Sequence, residues 1–242
     1  MEPTARYEEL KVPLGETRHG ITEASAILGI PEWWPTGERV AVTLAHGTNS
    51  GIEDPMLEHL QRHLTERKYL TLRFNFPFWE ARKPGRRTNP DPLTILEQTY
   101  KTAIAMLGRD PTAAPAHLFV GGKGLGSRVA AQLATSRLRL DGIFHLGLPL
   151  HSQDKPEELD ADFLYRIVAP MLFVQGTRDR RCDLDHLRQI LMRIGAPTAL
   201  HAVEGADQNF HVLKKSDRTD EDVREEVSRS IGNWLSRQLN ES

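Results

Sequence analysis

The chain holds a single cysteine, Cys182, so no internal disulfide can form and a reducing compartment is expected. No apolar run approaches the length of a membrane span, and no membrane association is expected. The opening residues Met1-Glu2-Pro3-Thr4-Ala5-Arg6 lack an apolar core of the kind a secretory signal needs. An excess of either sign of charge is also absent. A net charge of −2 argues against nucleic acid as an obligate partner. Together these absences point to a cytoplasmic protein. Linkers, repeats and low-complexity segments are absent too. The 242 residues, 39% hydrophobic and 26% charged, are therefore read as one domain over 1–242, long enough for a sizeable core.

What is present is an alternation of strand and helix patterns. Residues 7–45 carry three strand candidates: the short Leu10-Lys11-Val12, the mixed stretch Ile21 to Leu28, read as an antiparallel edge strand, and the near-continuous apolar run Arg39 to Ala45. Asp54-Pro55 and Asp91-Pro92 each pair a capping side chain with a proline suited to a first helical position. Further strands are expected at Tyr69 to Phe74, Leu118 to Val120, Gly142 to Gly147, Met171 to Gly176 and Thr198 to Val203, with an aromatic loop over Asn75 to Trp79. A short helix is expected near 159–167 and another near 183–194. A final helix over about 219–239 has Thr219 as its cap, Asp222 three residues on, and an apolar stripe of Val223, Val227, Ile231, Trp234 and Leu235. Such alternation predicts an α/β fold, a mostly parallel sheet with helices on both faces.

The stretch Leu118 to Arg128 is the centre of the pattern. An apolar run ends in Gly121-Gly122-Lys123-Gly124-Leu125-Gly126-Ser127, and a helical pattern follows at once. Gly122-x-Gly124-x-Gly126 has the frame of a nucleophile elbow, G-x-S-x-G, with glycine where serine would stand. That central residue is held at positive φ, a conformation glycine adopts without penalty, so the turn can persist without its hydroxyl.

Other motifs accompany it. In order they are Ala45-His46-Gly47-Thr48-Asn49, Arg73-Phe74-Asn75-Phe76-Pro77-Phe78, the elbow itself, Leu146-Gly147-Leu148-Pro149-Leu150-His151 with Lys155-Pro156-Glu157, Gln175-Gly176-Thr177-Arg178-Asp179, and Gly205-Ala206-Asp207-Gln208-Asn209-Phe210. Their set and order, over roughly residues 20–240, resemble the α/β-hydrolase fold without a large lid domain. The closer resemblance is to a branch of small bacterial hydrolases related to the testis-expressed hydrolase-like proteins and to a regulatory subunit of a histone-acetyltransferase complex. The resemblance implies a serine hydrolase in which Gly124 takes the nucleophile position, Gln208 the histidine position and Asp179 the acid position. Glycine cannot attack and a neutral amide cannot accept a proton, so ordinary serine-hydrolase activity is not expected. The oxyanion hole consists of backbone N–H groups, here those of Thr48 and Leu125, which side-chain substitution does not delete.

Several residues carry competing readings. A shifted Ser127–His211 pair with Asp179 is conceivable; a small helix residue and a loop histidine are preferred. Cys182, with Arg180 and Arg181 beside it, is either a substitute nucleophile or an ordinary thiol at a helix start. His46 is read as shaping the oxyanion loop. His145 and His151 flank a strand end without metal-ligand spacing, and no metal or cofactor is expected. Asp207 is expected to brace its loop through side-chain–backbone bonds. Arg82, Lys83, Arg86 and Arg87, joined by Lys123 and Arg178, are either a patch for an anionic ligand or solvated charge. Phe76, Phe78 and Trp79 either line a pocket or pack as core, with His46 and Phe76 kept as ligand-binding candidates. Three functions follow: a non-catalytic relative binding a small anionic or acyl-type molecule, an active hydrolase with a different nucleophile, and a protein-interaction module.

Overall fold

The computed structural model describes residues 5–83, 88–136 and 138–240. The elements are β1 (Arg6–Arg18), β2 (Ile21–Ile30), β3 (Val40–Ala45), α1 (Pro55–Glu66), β4 (Leu70–Phe74), α2 (Pro77–Glu80), α3 (Leu93–Leu107), β5 (His117–Lys123), α4 (Leu125–Ala134), β6 (Gly142–Leu146), a 3-10 turn (Asp162–Arg166), β7 (Met171–Gly176), α5 (Leu184–Leu191), β8 (Thr198–Val203) and α6 (Asp220–Asn240). The strands form one eight-stranded sheet in the order β1-β2-β4-β3-β5-β6-β7-β8. Only β2 runs against the rest: it pairs antiparallel with both β1 and β4.

Alternation along the buried strands divides the core in two. Val40, Val42 and Leu44 of β3, Phe119 of β5 and Leu172 and Val174 of β7 face α1 and α6, meeting Leu57, Leu60, Val227 and Trp234. Val120 of β5, Ile143 of β6 and Phe173 of β7 face α3, α4 and α5, meeting Leu96, Tyr100, Val129 and Leu187. Both faces of the sheet are covered, which is why the central strands read as continuous apolar runs.

Two helix starts, those of α1 and α6, follow their capping residues. Asp54 accepts from the backbone N–H of Met56 and Leu57, with Pro55 at the first helical position. At α6 the Thr219 Oγ1 accepts from the Asp222 N–H at 3.2 Å while Asp222 Oδ2 accepts from the Thr219 N–H at 2.7 Å. This is a reciprocal capping box.

The structure departs from the sequence expectations in four places. The first strand is not the short Leu10-Lys11-Val12 but runs over Arg6–Arg18. Most of its side chains are exposed, so no apolar alternation marks it. It takes the sheet edge, and β2 lies inside it. The two are joined at His19 and Gly20, with φ of 49° and 83°. Two consecutive positive values suit the twist of a tight hairpin. Next, the expected aromatic loop contains the one-turn helix α2, with Pro77 at its first turn. Third, Asp91 does not cap α3: its Oδ1 is taken by His19 Nε2 at 2.7 Å, and Pro92 occupies the cap position with no side-chain bond. Finally, the helix near 159–167 is the short 3-10 turn. That turn is the only helical element between β6 and β7 among the described residues, so no large lid domain stands over the strand ends.

Candidate functional site

The parallel strands deliver their loops to one end of the sheet, where folds of this architecture bind ligands. At that end Gly124 joins β5 to α4 with φ 53° and ψ −109°. The turn is pinned by its own backbone: the Gly124 N–H donates to Leu146 O at 2.8 Å, and its carbonyl accepts from the Arg128 N–H at 3.2 Å. The glycines on either side are there for space. A Cβ on Gly126 would lie 2.2 Å from Ala45 O, and one on Gly122 would lie 2.4 Å from the Gly126 carbonyl carbon. A Cβ on Gly124 would meet nothing nearer than Gln208 Nε2, at 4.0 Å.

That distance brings the two sequence-selected positions, Gly124 and Gln208, together across the site. The loop carrying Gln208 reaches it because Gly147, at φ 59°, has no side chain: a Cβ there would sit 2.7 Å from Gln208 O. The loop is braced as its sequence suggests. Asp207 Oδ1 accepts from the N–H groups of Asn209 and His211 at 2.8 and 3.0 Å.

Asp179 is the third position. Its carboxylate accepts from the Arg181 N–H at 2.7 Å and from Gln175 Nε2. Gln208 makes no hydrogen bond to it among the described residues, and the Gln175 Oε1 is buried without a partner. Burial raises the Asp179 pKa to about 6, with the Asp207 charge adding to the rise. The carboxylate thus holds Gln175, near the end of the preceding strand β7, rather than the residue facing Gly124.

The loop after β3 is fixed from several sides. His46 is fully buried; its Nδ1 donates to Gly47 O at 2.7 Å, and its Nε2 accepts from the Phe76 N–H at 2.9 Å. Burial lowers its pKa to about 4, so it is a neutral structural histidine. Ile52 donates its N–H to Asn75 Oδ1 at 2.8 Å, and Arg73 donates to Ile52 O. Lys123, beside the elbow, ends on Asp54 at 2.7 Å, and both are nearly buried. Burial alone would raise the Asp54 pKa; the Lys123 ammonium, with hydrogen bonds from Ser50 and the Leu57 N–H, outweighs it and holds the carboxyl below its ordinary value. The half-buried Thr48 and Leu125 carry the two backbone N–H groups expected to form an oxyanion hole, and neither donates to another described residue.

The remaining candidates separate. Phe76 is fully buried in an aromatic cluster with Phe74, Phe78 and His46, on the core side of the loop. Lys123 is committed to Asp54. Arg178 is exposed and donates to Gly205 O at 3.0 Å. The Arg82 guanidinium lies 4.0 Å over the Trp79 ring, while Arg86 and Arg87 fall outside the described residues. Ser127 is not paired with His211: it is fully buried and shares a 2.9 Å hydrogen bond with His145 Nδ1, whereas His211 is exposed. Cys182 is buried, and burial raises its pKa, with Asp179 and Asp183 adding to the rise, so the activation by Arg180 and Arg181 is overturned.

Sequence reasoning missed Gln175 as the partner of Asp179, Asp54 as the partner of Lys123, and His145 as the partner of Ser127. Gln175 stands in a motif beside Asp179, and Asp54 marks a cap; each carried a local signal. The Ser127–His145 pair joins a helix to a strand and has none.

Fold and site together define an α/β protein with a nucleophile-elbow turn at the strand ends. Residues 38–236 match the α/β-hydrolase domain family, and the chain belongs to that family. Among solved structures it is similar to a dienelactone hydrolase from Anabaena variabilis, at 17% identity over 97% of this chain and 99% of that one, with a TM-score of 0.71. It is also similar to an α/β serine hydrolase without a lid from Xanthomonas campestris, at 16% identity over 96% and 95% of the two chains, with a TM-score of 0.67. Est1E from Butyrivibrio proteoclasticus, solved with ferulic acid bound, is 15% identical over 96% and 99%, with a TM-score of 0.67.

Proposed function

We propose that this α/β-hydrolase has lost its nucleophile and its base and binds a small anionic or acyl-type ligand where the chemistry once took place. The observation that carries this reading is the facing of Gly124 and Gln208 across 4.0 Å, a separation measured to the position of a Gly124 Cβ. A serine hydrolase needs a hydroxyl and a base at those places, and the chain offers neither. The retained parts favour binding. The N–H groups of Thr48 and Leu125 have no described partner. Gln208 adds an amide donor, and the N-terminus of α4 favours negative charge. That Est1E holds a carboxylic acid is consistent with such a ligand. The motif set supports placement in the branch related to testis-expressed hydrolase-like proteins, and the lone buried cysteine supports a cytoplasmic location.

A second reading, a protein-interaction module, rests on Leu159, Tyr165 and Val168, which are 43%, 43% and 86% exposed along the connection between β6 and β7. It predicts that Val168→Asp would abolish a protein complex and leave ligand binding unchanged.

Titration of the isotope-labelled protein with sodium acetate and sodium ferulate tests the leading reading. Saturable shifts are expected at the Thr48 and Leu125 amides and at the Gln208 side chain, with p-nitrophenyl acetate hydrolysis at the uncatalysed rate. Enzyme-like turnover by the unaltered protein, or unshifted amides, would sink it.

A further inference from the structure

The opposite end of the sheet, where the parallel strands begin, is not closed over. There a cleft of about 210 Å³ opens between the β1–β2 hairpin, the start of β4 and the end of α3. It arises from a mismatch of lengths. Arg6 and Leu10 of β1, Leu28 and Ile30 of β2, and Leu70 and Leu72 of β4 line it, and their even spacing puts them on one face of the sheet. Helix α3 covers that face only as far as Leu107 and stops at Gly108. The floor is closed by Leu72, Leu70 and Ile30, which are buried, but Leu10, Leu28, Trp34, Met106 and Leu107 are only half-buried.

The mouth is charged. Arg6, Arg109 and Asp110 line it and are exposed. Two of these are occupied: Arg6 Nε donates to Glu8 Oε1 at 3.0 Å, and Asp110 Oδ1 accepts from the Thr112 N–H and Oγ1 at 2.9 and 2.7 Å. The Arg109 guanidinium has no hydrogen bond or ion pair to a described residue. The cleft thus combines apolar walls with one uncommitted cation at its edge. A water takes up ~30 Å³ of liquid, so the space suits a chain on the order of seven heavy atoms.

We propose that this cleft binds an amphiphilic monocarboxylate, a short-to-medium alkanoate whose chain lies against Leu28 and Met106 and whose head meets Arg109. Guanidinium recognises carboxylate in two parallel bonds, which fixes the polarity of entry. The site is separate from the elbow: Gly124 lies past the C-terminal end of β5, whereas the cleft is built at the N-terminal end of β4 and on the Arg109 to Ala113 segment that leads into β5. It does not depend on the fate of the triad positions.

The test is titration of the full-length protein with sodium octanoate, sodium hexanoate and octylamine, followed by methyl NMR at pH 7. Octanoate is expected to give saturable shifts of the Leu10, Leu28, Met106 and Leu107 methyls. Hexanoate, two methylenes shorter, should bind about fifteenfold more weakly, given about fourfold per methylene. Octylamine, with the same chain and the opposite charge, should also bind at least about tenfold more weakly. Arg109→Glu should weaken octanoate to a similar degree without shifting thermal unfolding, because Arg109 is exposed beyond the helix end. The proposal is overturned if octanoate moves only resonances around Gly124 and Gln208, if octylamine binds as tightly as octanoate, or if no methyl shift saturates by about 10 mM, the weak end of useful affinity. Were Arg109→Glu to unfold, the octanoate-to-octylamine ratio on the unaltered chain would still decide.

Discussion

The flanks of the elbow and its centre are all glycine, yet for opposite reasons. At Gly122 and Gly126 a side chain would run into backbone: the Gly126 carbonyl carbon at 2.4 Å and Ala45 O at 2.2 Å. At Gly124 there is room, the nearest atom being Gln208 Nε2 at 4.0 Å. Packing therefore demands the outer two, and nothing in the packing demands the middle one. The turn leaves space at its apex that Gly124 does not fill. The lesson is that the flanks of the turn and the residue at its apex are held by different constraints.

The sharpest way to break this comparison is to place a methyl group on each kind of glycine. Gly126→Ala should destabilise the protein by about 3 kcal/mol or more, because the obstacle is backbone and the strand and helix cannot part without losing their core. Gly124→Ala should change stability far less, limited to the modest strain of a non-glycine residue at positive φ, about 1–2 kcal/mol. Urea denaturation measures both. Equal losses at the two positions would erase the distinction.

The support around the elbow can be tested next. Lys123→Met leaves the buried Asp54 carboxylate without its counter-charge and should cost about 3 kcal/mol at pH 7. Because the Asp54 pKa is depressed, the natural pair stabilises above the ordinary carboxylate range, and that contribution is lost as pH falls through the lowered value. Denaturation curves of Lys123→Met should lose this acid-side decline.

Asp179 gives a smaller effect of opposite sign. Its pKa lies at about 6, above the ordinary 3.8, so between these values the folded chain keeps a proton that the unfolded chain releases. Stability attributable to it is complete below about pH 4 and falls as pH rises towards 6. Asp179→Asn should therefore stabilise the protein at pH 8 by about 1–2 kcal/mol, reduced from the full shift by its partial exposure. The Gln175 amide can turn to offer its unpartnered Oε1 to the new Nδ2. If Asp179→Asn is instead destabilising at pH 8, the carboxylate is doing structural service that its hydrogen bonds alone do not reveal.

Much of this was legible because the motifs carry local physics. The elbow announced itself through glycines that sterics require, α6 through the Thr219–Asp222 spacing, and α1 through Asp54-Pro55. What was hidden depended on partners far apart in sequence. β1 reads as a charged, patternless stretch because it lies at the sheet edge with most of its side chains in solvent. Phe76 could not be assigned to pocket or core until the ring contacts with Phe74 and His46 were seen. Asp179 was identifiable as an acid, but its attachment to Gln175 in preference to Gln208 is a matter of side-chain geometry.

The most direct test of the central claim is the initial rate of p-nitrophenyl butyrate hydrolysis by Gly124→Ser/Gln208→His beside the unaltered protein. The account predicts background rate for the natural chain and a rise of about a hundredfold or more in the double variant, since the turn and the Thr48 and Leu125 N–H groups, without described partners, are in place. Enzyme-like hydrolysis by the natural chain, undiminished by any change at Gly124 or Gln208, would contradict it.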